Sequence, residues 1–162
     1  MIVVADSSPI RYLIVIEAVD ILPQIYGRVL IPTAVLHELS NRSSPDVVRS
    51  WLSAPPNWLS VREVRSSPPP ALNNLDRGEQ QAILLALEQL EPTTVLVDDG
   101  MGRLAARALR TQVTGTIGVL EEAGRLGLID LEPALARLQQ TNFRISQQVI
   151  DLVLERFRLA SR

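Results

Sequence analysis

Residues 2–6 read IVVAD, and residues 7–15 continue SSPIRYLIV. The four apolar residues Ile2 to Ala5 make a run short enough to be a strand buried on both faces. The run stops at Asp6, and Ser8-Pro9 then supplies a side-chain cap followed by proline at the first helical position. A helix is expected from there to about Ala18. A buried strand that passes directly into a helix is the opening unit of a parallel sheet, in which the crossovers are helices. Asp6 itself has two readings: it caps the helix, or it is the first piece of a site at the strand's carboxyl end. Ser8 is the better cap, which leaves the aspartate free for the second role.

The same unit recurs along the chain. A short helix is expected over 19–26, then the strand RVLIP (28–32) and the helix TAVLHELSNR (33–42). A helix near 45–52 and an edge strand around LSVREV (59–64) follow. RSSPPPALNN (65–74) is the one loop rich enough in Pro, Ser and Asn to read as a linker. LDRGEQQAILLALEQL (75–90) places Ala82, Ile83, Ala86, Leu87 and Leu90 at helical spacing. TTVLVDDG (93–100) is a buried strand ending in two acids, and MGRLAARALR (101–110) is an amphipathic helix. TQVTGTIGVL (111–120) reads as a strand, a glycine turn and a helix, and EPALARLQQ (132–140) and ISQQVIDLVLERF (145–157) are helical. Strands alternating with helices predict an α/β fold of three layers, with a central parallel sheet and helices on both faces. A single domain is expected over 1–162, with its motifs in 2–128 and a C-terminal helical extension, about 132–160, packing on that same domain.

Composition narrows the function. The chain has 162 residues, 46% of them hydrophobic and only 4% aromatic, with a mean hydropathy of +0.15, so its core is aliphatic. There is no cysteine, which excludes disulfides, thiolate metal sites and cysteine nucleophiles. The apolar stretch Ile10 to Ile16 is broken by Arg11 and followed by Glu17, too short for a membrane span, and a cytoplasmic protein is expected. The net charge is −2 and the pI about 5.4, so no global basic field advertises nucleic acid. All 16 positive charges are arginine, whose planar guanidinium suits phosphate. No glycine-rich phosphate loop, serine-nucleophile elbow or histidine–acid metal motif is present, and His37, the only histidine, reads as a surface or packing residue.

The acids carry more information. In parallel sheets, sites form beyond the carboxyl ends of the strands. Asp6 lies at one such end and Asp98-Asp99 at another; one carboxylate suffices to cap the helix after Gly100, so the doubled acid leaves a residue to explain. Asp76 and Glu79 have the spacing of a reciprocal capping box, and Glu38 alone would be an ordinary solvated glutamate. Together, two strands end in aspartate and two helices carry glutamates near their starts. Converging carboxylates raise each other's pKa values unless a cation neutralises them. Hard ions such as Mg2+ or Mn2+ prefer oxygen ligands, and such a site activates water against a phosphodiester.

The start Asp6-Ser7-Ser8-Pro9, followed in order by VLIPTAVLHEL, LDRGEQQAI, VLVDDGMGRLAARAL and VTGTIGVL, resembles the PIN-domain superfamily, and most closely its compact prokaryotic members related to VapC-type toxins. The resemblance implies a PIN-like fold and metal-dependent endoribonuclease chemistry, with an RNA substrate, Mg2+ or Mn2+, an antitoxin partner, a homodimer and no membrane. It assigns Asp6, Glu38, Glu79 and either Asp98 or Asp99 as the acidic cluster. Asp6, Glu79 and Asp98 or Asp99 would hold the metal, and Glu38 with Glu79 would orient the attacking water. Ser8 and Thr116 match polar residues that flank the site, while Arg11 and Arg103 are the candidates to hold phosphate. One departure is that many PIN toxins carry aspartate at the third acidic position, where this chain has Glu79. The alternative is a PIN-fold module that binds RNA or a protein without cleaving.

Overall fold

The computed structural model describes residues 1–161. Its sheet has five strands: β1 (Ile2–Ala5), β2 (Arg28–Pro32), β3 (Leu59–Arg62), β4 (Thr93–Leu96) and β5 (Gln112–Thr114). They are ordered β3-β2-β1-β4-β5 and every pairing is parallel. The helices are α1 (Ser7–Val15), α2 (Ile21–Tyr26), α3 (Thr33–Leu39), α4 (Asp46–Ser53), α5 (Arg77–Leu87), α6 (Gly100–Ala108), α7 (Thr116–Arg125), α8 (Leu131–Gln139) and α9 (Gln147–Ala160). No helix among the described residues is long and apolar enough to cross a membrane.

Alternation along each strand builds the layers, because successive side chains point to opposite faces. Val3, Ala5, Val29, Ile31 and Leu96 pack with α1–α4 and α7–α9, whereas Ile2, Val4, Leu30, Val95 and Val97 pack with α5 and α6. The expected three-layer α/β/α arrangement is therefore the observed one. Leu131, Ala134, Leu135 and Leu138 of α8, and Ile150, Val153 and Leu154 of α9, are buried in the same cluster as Val3 and Ala5. The chain builds outward from β1 through β2 to β3, then returns to lay β4 on the other side of β1. That reversal puts a topological switch between β1 and β4, where the crevices of open parallel sheets lie.

Several local expectations are corrected. Helix α1 begins at Ser7, so Asp6, not Ser8, occupies the cap position, and no side chain caps this helix. Pro9 is then the third helical residue, still within the first turn, where a missing N–H costs nothing. The helix also stops at Val15 instead of Ala18. Glu17 takes a left-handed conformation (φ 61°) and the Ala18 N–H returns to the Leu13 carbonyl (2.8 Å), which buries Ala18 and Val19.

The segment 65–74 is not a loose linker. The Glu88 carboxylate accepts from the N–H groups of Arg65 and Ser66 (2.9 Å each) and from the Ser66 hydroxyl (2.7 Å). Beyond it a short 3-10 turn, Pro70–Leu72, drives Leu72 into the layer under α5, where it is fully buried. Gln80 holds the Leu72 carbonyl (3.1 Å). Proline and serine make the stretch resemble a spacer, but one leucine anchors it. Leu72→Ala is expected to destabilise the protein by about 2–5 kcal/mol, as for other fully buried leucines; a denaturant titration checks it, and an unchanged midpoint would restore the linker reading.

Candidate functional site

The strand register brings the acids to one edge. Ala5 pairs with Leu96 and Leu96 with Thr114, so Asp6 leaves the sheet beside Val97, and Asp98 beside Thr116 one residue further along the same edge. The ladder continues one step past the strands, with the Asp6 N–H on the Leu96 carbonyl and the Val97 N–H on the Thr114 carbonyl (2.9 Å each). Glu38 on α3 and Glu79 on α5 come from opposite layers and converge over this edge.

Asp6 is the most constrained acid. Its backbone has the extended geometry of a cap residue, yet its side chain caps nothing, and its Oδ1 is buried with no hydrogen-bond partner. Burial pushes its pKa up to about 8, with Asp76, Glu38 and Glu79 adding to the rise, against a lowering contribution from the Ser7 N–H. Glu79, 7% exposed, is pushed up to about 7 by burial and by the charges of Asp76, Asp99 and Glu38. Its N–H is received by Asp76 Oδ1 (2.9 Å). The reciprocal half of the expected capping box is absent among the described residues, because the Glu79 carboxylate faces the acids instead.

The remaining acids are held from below. Glu38 accepts from the Ser7 hydroxyl (2.7 Å). Asp99 caps α6, its Oδ2 accepting from the N–H groups of Met101 (3.0 Å) and Gly102 (3.3 Å). Asp98 accepts from Thr116 through both its N–H (2.6 Å) and its hydroxyl (2.8 Å), and from the Ser8 hydroxyl (2.7 Å). The two neighbouring aspartates thus face different partners: Asp99 lies within the field of Glu79, and Asp98 is the acid that ties β4 to α1 and α7. Arg103 opens onto the same groove as Asp98, whereas Arg11 lines another groove with Ser43 and Asn142. His37 is exposed on α3.

Ser7 and Asp76 belong to this constellation, although the sequence does not assign them to it. The capping spacing of Asp76 accounts for it fully, and nothing in the order Ser7-Ser8 says which hydroxyl meets which acid. The glycines are the other missed participants. A Cβ on Gly78 would fall 2.8 Å from the Glu38 Cδ, one on Gly102 would meet Val97 Cγ1 at 2.7 Å, and one on Gly115 would meet Asp98 Oδ1 at 2.8 Å.

The donor set tests whether a cation fits. Every polar end at the edge is a carboxylate or hydroxyl oxygen, the chemistry of hard divalent ions. The orphaned Asp6 oxygen is the position that lacks a positive partner. No group of three acids among the described residues already converges as a ready cage. Mg2+ in particular binds through one or two carboxylates and keeps several waters, so Asp6 with Glu79 or Asp99 is a sufficient protein contribution.

The raised pKa of Asp6 makes a stability prediction. The unfolded chain ionises this carboxyl near 3.8 and the folded chain near 8, so across that window the folded state holds the extra proton and stability falls as pH rises. In metal-free buffer, Asp6→Asn removes that dependence. The melting temperature of the variant relative to wild type is expected to climb from pH 5 to pH 8.5; a constant difference would show that Asp6 ionises normally.

A family model described as DUF3368: PIN domain matches residues 2–158, nearly the whole chain and well past residue 128, where the quoted motifs end. No curated protein matches the chain.

Proposed function

Because the chain belongs to the PIN-domain family, whose members are commonly nucleases, we propose that it is a divalent-metal-dependent endoribonuclease acting at the β1–β4 edge. The observation that carries the reading is the buried Asp6 oxygen without a partner, set among Glu38, Asp76 and Glu79 at the sheet's switch point. Asp6, Glu79 and Asp99 are the residues to hold Mg2+ or Mn2+, with Asp98 maintaining the shape of the edge. A divalent ion bound there would stabilise charge on the phosphoryl oxygens and acidify a bound water.

The chain's own groups have distinct tasks. Asp6 directly follows β1, and its N–H on the Leu96 carbonyl fixes where its short side chain starts. Glu38, oriented by Ser7, is placed to accept the proton of a water attacking phosphorus, with Glu79 helping to orient that water. The water oxygen forms the new P–O bond and the departing ester oxygen leaves on the opposite side, taking up a proton. An acidic edge alone repels the scissile phosphodiester, and a cation held there would offset that repulsion. A role as the toxin of a toxin–antitoxin pair, working as a homodimer, follows from the resemblance of the five quoted segments; an adjacent reading frame encoding a small DNA-binding protein would support it.

With Mn2+, wild type is expected to cut single-stranded RNA and Asp6→Asn to cut it at least about 100-fold more slowly. Intact RNA with wild type, or equal rates, removes the catalytic reading. The second reading, a module that binds without cleaving, is favoured by Asp98, whose carboxylate is already engaged by three hydrogen bonds. Thermal melts with Mn2+ separate the two, since a bound native-state ligand raises the melting temperature by mass action and a metal-free module shows no shift.

A further inference from the structure

A groove of about 440 Å3 opens beside Asp98, between α6 and the segment that follows α8, with β5 and the start of α7 as its floor. Four guanidinium groups line it: Arg103 and Arg107 from α6, Arg144 from the turn before α9, and Arg156 from α9. Arg156 is held by Glu121. Arg103, Arg107 and Arg144 have no carboxylate within ion-pair distance among the described residues, as is also true of Arg62 and Arg65. Against these four cations the groove carries two acids, Asp98 and Glu121, and Asp98 is already engaged by Thr116 and Ser8. The larger groove beside β3 differs in kind: its Arg62 and Arg65 are balanced by Glu63 and Glu88. On a chain of net charge −2, this groove thus carries an excess of arginine over acid and reaches the acidic edge. Val149 and Leu152 stand exposed on the α9 wall, apolar surface for bases to lie against between the charges.

We propose that this groove binds the phosphate backbone of a single RNA strand on its way to the acidic edge, with Arg103, Arg107 and Arg144 as the phosphate contacts. The proposal rests on the nuclease reading above, and it gives α9 a role beyond packing: its outer face is one wall of the substrate channel. Charge complementarity and continuity with Asp98 name the occupant. Guanidinium groups pair bidentately with phosphate, and spaced arginines along a groove match a backbone that repeats its charge.

The test is binding of a fluorescent single-stranded RNA in EDTA, followed by anisotropy across a salt series, for wild type and for Arg107→Ala/Arg144→Ala. Both positions are exposed, and circular dichroism melts confirm the fold. The double variant is expected to bind at least about 10-fold more weakly, and its log–log salt slope to be shallower by about 1.4, since each single-strand phosphate contact contributes about 0.7. Arg62→Ala/Arg65→Ala, in the charge-balanced groove, is expected to bind as wild type. Unchanged affinity and slope in the first variant, equal weakening in the second, or no RNA binding by wild type overturns the proposal. So does poly-glutamate binding that requires Arg107 and Arg144 when RNA binds without them. RNA held through these arginines by a protein that never cleaves with Mn2+ leaves the groove standing and overturns the nuclease reading. Cleavage and RNA affinity both unaltered in the first variant do the reverse.

Discussion

The parallel pairing of β1 with β4 is the constraint on which the rest of the molecule depends. It joins the first strand of the chain to one that arrives about ninety residues later, after β2 and β3 have been laid on the other side. Once Ala5 is in register with Leu96, the chain has no choice about where Asp6 and Asp98 emerge. Helix α5 must then cross from β3 to β4 on the opposite layer, and its first turn arrives over the same edge with Asp76 and Glu79. The site is a by-product of topology that the side chains exploit.

What the sequence makes legible follows from how local each signal is. The strands are readable because buried parallel strands are short apolar runs, and VVA, VLI and VLV leave little alternative. The acids at strand ends are readable for the same reason, since a strand's end fixes position without knowledge of its neighbours. The roles of paired residues are not. Ser7 and Ser8 differ by one helical step, about 100° around the axis, and that rotation sends one hydroxyl to Glu38 and the other to Asp98. Asp98 and Asp99 separate likewise, one into the turn with Thr116 and one onto the start of α6. Leu72 is hidden by composition: a single anchoring side chain leaves no periodicity to detect.

Electrostatics divides the surface into two kinds of charge. Six carboxylates away from the edge have an arginine or a set of N–H groups to answer them, as Glu122 has Arg125 and Glu88 has the N–H groups of Arg65 and Ser66. Hydrogen bonds from those partners hold the pKa values of Glu122 and Glu88 low. Asp6 and Glu79 have no such neighbour, and their pKa values move the other way. Burying carboxylates that have no such partner stores unfavourable energy at one place.

Gly78, Gly102 and Gly115 let neighbouring groups approach closely around the site. None has a positive φ, so each backbone would accept alanine, and replacing glycine by alanine at such positions is a common route to a more stable protein. Here a methyl group would meet Val97 at Gly102 and would displace the carboxylates of Glu38 and Asp98 at Gly78 and Gly115. Stabilising the protein by glycine-to-alanine exchange therefore has to be done away from the acids, whose rim of glycine is the part of the fold with least room to fill.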